Sequence, residues 1–136
     1  MASGVYAKAK EAFIGGNPAT GQIDLDTNTI KVSIGRTSAY TVNLATDQFK
    51  STVTTVQDAS SAITTPTVTG GLFDAEDKTF SAVTAGAALD FLVIWKDTGS
   101  AATSPLVCYF DGFSVTPNGG DITAQWDNGA NRIFKL

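Results

Sequence analysis

Histidine is missing from this chain altogether. Its absence removes the commonest general base and the commonest metal-binding nitrogen, and it rules out any Ser–His–Asp or Cys–His arrangement. There is one cysteine, Cys108, so no internal disulfide can form. That favours folding in a reducing cytoplasm. Charge is also scarce. Asp, Glu, Lys and Arg make up 16% of the 136 residues, against about 25% in an ordinary soluble domain. The nine basic residues form no run, and 13 acidic ones leave a formal net charge of -4. Nucleic-acid binding depends on Lys and Arg neutralising phosphates, so direct contact with DNA or RNA is not expected, nor with an acidic membrane surface. No apolar run approaches the ~18 residues of a membrane-spanning helix. The opening MASGVYAKAK has no apolar stretch of the kind a secretory signal needs.

Small residues and turn formers are plentiful. There are 13 glycines, and Ser, Thr and Ala recur throughout. A chain of this length buries about 68–70% of its unfolded surface and folds without metal or disulfide staples. The expected organisation is one domain over residues 1–136. An N-terminal arm with a short helix occupies residues 1–20, and a long loop spans residues 38–65.

The helix is expected in YAKAKEAFIGG, residues 6–16, where Tyr6, Ala9, Lys10 and Phe13 recur at helical spacing and two glycines stop it. From Ile23 the period changes to two. Ile23 and Leu25 alternate with Asp24 and Asp26, and TIKVSIGR places Ile30, Val32 and Ile34 on one face of a half-buried strand. A short strand over residues 41–44 is the only regular element expected early in the long loop, which is otherwise polar and rich in Ser and Thr. Two strands are expected around a turn at residues 75–78. The run FLVIW, residues 91–95, reads as a strand buried on both sides. PLVCYFDGF is another apolar strand, with Pro105 at its first position. ITAQW and NRIFKL flank DNG, a strong hairpin signal. In that pair Phe134 is expected in the core, and Leu136 either follows it or meets a neighbouring subunit. The total is eight or nine short strands and one helix, an all-β antiparallel sandwich, jelly roll or barrel.

The residues offer little chemistry. FDAEDK places Asp74, Glu76 and Asp77 together, but the spacing of a calcium-binding loop is missing, and a solvated turn explains the cluster better. Asp24 and Asp26 share a face, as general acid/base pairs do, yet charge on an edge strand has the simpler role of deterring edge pairing. Cys108 lies in an apolar strand without a base to make it a nucleophile, so it reads as core. Trp95, Trp126, Tyr109 and Phe110 would suit a sugar-stacking platform, although aromatics in strands are more often core. Of these, Trp126 beside a turn is expected to be the more exposed. No enzyme activity, cofactor or metal is expected.

The phrases run in the order YAKAKEAF, IDLDTNTIKVSI, AYTVNLATDQF, TVTGGLFDAEDKTFSAV, VIWKDTG, AATSPLVCYFD and VTPNGGDITAQWDNGANRIFKL. This order, over nearly the whole chain, resembles a family of small virion proteins of tailed bacteriophages. Size and strand content are similar to the jelly-roll cement, or decoration, proteins of phage capsids. The resemblance implies a jelly-roll sandwich of eight or nine strands. It also implies binding to the outer surface of a major capsid protein shell, between capsomers, as a homodimer or alternatively a trimer. The protein would be made in the host cytoplasm and reside on the capsid exterior. A tail or baseplate structural protein is one alternative, and a carbohydrate-binding virion module is another. Contact elements are expected in the helix, the long loop and the turn at residues 127–131. The residues concerned are Tyr6, Phe13, Tyr40, Phe49, Trp126, Asn128 and Leu136.

Overall fold

A computed structural model describes residues 3–15, 22–53, 61–127, 129 and 132–136. Among these residues the fold is mostly β, with short strands paired antiparallel throughout. The strands are β1 (Gly4–Val5), β2 (Ile30–Gly35), β3 (Ser61–Ala62), β4 (Thr67–Thr69), β5 (Leu72–Asp74), β6 (Lys78–Phe80), β7 (Phe91–Lys96), β8 (Leu106–Phe110), β9 (Ile122–Ala124) and β10 (Phe134–Lys135). One helix, α1 (Ala7–Ile14), follows β1 and ends where Gly15 turns left-handed at φ 94°. Three sheets result, ordered β1-β8-β7-β2-β3, β10-β5-β4 and β6-β9.

The five-stranded sheet organises the rest. Directly opposed residues of an antiparallel pair share a face. Registers such as Ser33 with Val93 and Val93 with Tyr109 therefore sort the side chains. One face carries Ser33, Gly35, Phe91, Val93, Trp95 and Tyr109. The other carries Ile30, Val32, Ile34, Leu92, Ile94 and Cys108. All of these are buried. The apolar run at residues 91–95 is thus covered on both sides, as expected. β2 is not the half-buried strand that its alternation predicts. Its polar Ser33 is fully buried because the Trp95 indole N–H donates to its Oγ at 3.1 Å. Gly35 is required by packing: a Cβ there would meet the Phe91 ring at 2.6 Å.

The first face is covered by the N-terminal segment and the loop after β2. The loop's described part, residues 38–53, is less open than its composition predicts. Its backbone clips onto the start of β8, with Lys50 N–H donating to Ser104 O and Leu106 N–H to Gln48 O, both at 2.8 Å. A short 3-10 turn forms at Lys50–Thr52, and no strand forms over residues 41–44. Tyr40 reaches in against Phe91 and Tyr109, with ring centroids at 5.6 and 6.2 Å. Its hydroxyl donates to Asp47 Oδ2 at 2.6 Å and lies 2.9 Å from the Tyr6 hydroxyl. Burial, more than any other influence, pushes both phenols well above their usual pKa, so they stay protonated and keep their hydrogen bonds.

The second face is covered by a ribbon that sequence reading paired wrongly. β5 and β6 do not form a hairpin around residues 75–78, and the strands flanking DNG do not pair with each other. Instead β5 pairs with β10, placing Phe73 opposite Phe134, and β6 pairs with β9, placing Phe80 opposite Ile122. The pairing of residues 72–73 with 134–135 and of 78–80 with 122–124 thus forms one antiparallel ribbon, interrupted in the middle. Trp126 staples the interruption: its backbone N–H donates to Asp77 Oδ1 at 2.9 Å and its indole N–H to Glu76 O at 3.0 Å. The hairpin of this region lies earlier, where β4 turns into β5 through Gly70 and Gly71. Their φ values of 60° and 78° suit a type I′ turn.

Tyr40→Phe should test the first cover. It strips a partner from both the Tyr6 hydroxyl and Asp47, which costs about 1–3 kcal/mol when the groups stay buried. Urea titration should give a lower midpoint with an unchanged slope. An unchanged midpoint would show that the phenol chain is not a structural tie.

Candidate interaction surface

The residues expected to make contacts divide sharply. Tyr6 and Tyr40 are buried against the main sheet, and Trp126 is only 8% exposed. All three are buried in the monomer, where their expected role as contact residues would have them more exposed. Phe49 is half-buried and bridges to Pro105. Phe13 is half-buried, with its ring stacked 6.3 Å from Phe134. Asn128 lies outside the described residues. Leu136 is 61% exposed, while Phe134 two residues earlier is buried.

Both tryptophans are inside, so the sugar-stacking platform is not formed by them. The Trp126 ring packs 6.2 Å from Phe110, and both indole N–H groups are already committed to internal acceptors. Trp95 lies beneath two ammonium groups, with Lys31 Nζ 5.8 Å and Lys50 Nζ 5.5 Å from its ring centroid. Burial pulls the Lys50 pKa down.

The acidic groups scatter. Asp77 and Glu76 serve Trp126, Glu76 also accepts from Thr64 Oγ1 at 3.0 Å, and Asp74 lies 3.7 Å from Arg132. Among the described residues, no three Asp, Glu or Cys side chains gather to hold a metal ion. Asp24 and Asp26 do meet. Their shared hydrogen bond lowers the Asp24 pKa and raises that of Asp26, although both lie at the surface. They sit in a turn rather than on a strand, closed by Asn28 N–H donating to Asp24 O at 2.9 Å. Cys108 is buried, and burial pushes its thiol pKa well up, away from nucleophilic character.

Two accessible apolar regions stand out. The first is a shallow groove of about 330 Å³ lined by Phe13, Ile23, Leu25, Val68 and Leu136, with Asp24 and Asp26 at its rim. Val68 is 48% exposed, and Ile14, next to Phe13, is 87% exposed. The second is a groove of about 420 Å³ between the chain at Phe113–Val115 and strand β9, floored by Ile34 and Leu92. Phe113 stands at its lip, 36% exposed. The same ring borders a depression holding Asp90 and Asp111, and another holding Trp126 and Asp127. Phe113 is therefore the hub of an apolar surface, with Asp90 and Asp111 on one side and Asp127 together with Arg132 on the other. Sequence reading missed Phe113, Val68 and Ile14. It placed Phe113 inside a strand that ends at Phe110.

No family model, curated protein or solved structure matches this chain. Among the described residues no helix is long and apolar enough to cross a membrane.

Acid titration should expose the ion pair beside Trp95. Lys31 Nζ lies 2.6 Å from Asp97 Oδ2 and, ahead of the Gly99 N–H, holds the Asp97 carboxyl below the ordinary range. A depressed carboxyl adds stability that is complete above its unfolded pKa, about 3.9, and is lost as pH falls through the folded value. Lys31→Met should flatten that part of the acid slope in urea midpoints. Parallel slopes for the two proteins would contradict this assignment.

Proposed function

We propose that this chain is a cement protein of a tailed-phage capsid. It would bind the outer surface of the major capsid protein shell and bridge capsomers without covalent chemistry. The ordered likeness of its sequence phrases to small phage virion proteins motivates the reading. The observation that carries it is the apolar surface centred on Phe113. A half-exposed aromatic beside a groove floored by Ile34 and Leu92 supplies the kind of buried anchor on which interfaces depend. Low charge lowers the cost of desolvating such a surface. The carboxylates of Asp90 and Asp111 favour a capsid segment that brings Lys or Arg beside its apolar residues.

The jelly-roll assignment belongs to the same proposal. Its support is the covering of the five-stranded sheet by the ribbon of β5, β6, β9 and β10. The second sheet would then be a jelly-roll layer broken in two at Trp126. The five, three and two strands depart from the two equal sheets of a regular jelly roll.

Shell cement must be present in many copies set by the lattice, and each weak contact gains from its neighbours. Quantitative mass spectrometry of purified particles should find that copy number. Phe113→Asp should cut occupancy by about tenfold or more, the loss expected when an interface anchor is removed, with its urea midpoint unchanged. A handful of copies per particle, located at the tail, would instead favour the tail or baseplate reading.

A further inference from the structure

The outer edge of β4 is open: among the described residues no strand pairs with it. All three of its residues, Thr67, Val68 and Thr69, are exposed. The turn through Gly70 and Gly71 fixes which main-chain groups point outward. In a two-residue hairpin the flanking pair, here Thr69 and Leu72, exchanges both hydrogen bonds. The next pair, Val68 with Phe73, is then the open one, so the Val68 N–H and C=O face the free edge. An exposed edge with unpaired donors and acceptors is a template for another strand.

The edge also specifies its partner. It reads Thr-Val-Thr, the same in both directions. Antiparallel pairing with itself places Val68 against Val68 and Thr67 against Thr69, all β-branched residues suited to cross-strand contact. A two-fold contact sets every charge on the axis against its own copy, so it needs a neutral centre. β4 has one, whereas the outer strand at the other side of the same sheet carries Lys135. Val68 shares a face with Phe73 and Phe134 and lines the groove of Phe13 and Leu136. Pairing would bring two copies of that apolar groove together at the axis.

We infer that two copies of this chain join edge to edge through β4, about a two-fold axis passing Val68, and so double the three-stranded sheet. The contact stands independently of the capsid reading, since it is a property of the isolated chain. Val68→Cys provides the direct test. Hydrogen-bonded partners lie about 5.5 Å apart at Cα, inside the roughly 4.4–6.8 Å span of a disulfide. Cys108 is buried and does not compete. Mild oxidation of Val68→Cys should yield a covalent dimer, whereas Thr67→Cys, whose partner is Thr69 of the second copy, should cross-link far more slowly. In sedimentation across a concentration series, the unmodified chain should dimerise. Val68→Lys, which sets two ammonium groups together, should weaken that dimer by about tenfold or more, with an unchanged urea midpoint at dilutions where both proteins are monomeric. A chain monomeric throughout the series would overturn the inference. So would equal cross-linking from Thr67→Cys and Val68→Cys, or a Val68→Lys protein that still dimerises as tightly.

Discussion

Everything in this fold answers to one constraint: the sheet built on β2, β7 and β8 is apolar on both faces. A strand such as FLVIW cannot leave either side in water, so the chain must supply two covers. The N-terminal segment and the loop after β2 make one, tied down through Tyr6, Tyr40 and Asp47. The interrupted ribbon makes the other, with Phe73, Phe80, Phe134 and Trp126 turned inward. Aromatic residues that would be natural anchors for a partner are consumed in this way. Among the described residues a short neutral edge and two apolar grooves remain accessible to a partner.

The same constraint shapes the polar groups of the interior. Its buried polar groups close on each other: Trp95 on Ser33, Trp126 on Glu76, Tyr40 on Asp47. Among the described residues no buried side-chain nitrogen or oxygen lacks a hydrogen-bond partner. Satisfied groups of this kind hold a rigid structure in one arrangement. The apolar grooves meanwhile keep contact surface available at the rim without opening the core, as the proposed adhesive role requires.

Much of the central sheet is legible in the sequence, because unbroken apolar runs and alternation are local signals. Residues 91–95 and 106–110 are plain on inspection, and the short helix ends at Gly15 as its glycines indicate. The ribbon is not legible. The clusters at residues 75–78 and 127–131 have good turn chemistry, and a local rule pairs the strands beside each. Register is decided instead by which apolar residue faces which across a long stretch of chain, Phe73 with Phe134 and Phe80 with Ile122. The burial of three expected contact residues has a related reason. Tyr6, Tyr40 and Trp126 look exposed when their segments are read as an arm, a loop and a turn tip, but those segments are the covers. Phe113 and Val68 each stand as a single apolar residue among polar neighbours, and nothing in their local pattern separates surface from core.

If the molecule works as a rigid adhesive part, the covered sheet stays closed while the rim around Phe113 meets the partner. Hydrogen–deuterium exchange on the free chain and on the chain bound to phage heads reads both at once. Binding should slow exchange at residues 113–125, whereas the amides of Phe91–Lys96 should be protected already in the free chain and should not change. Slowing confined to the covering loop at residues 39–53, with residues 113–125 unaffected, would contradict this.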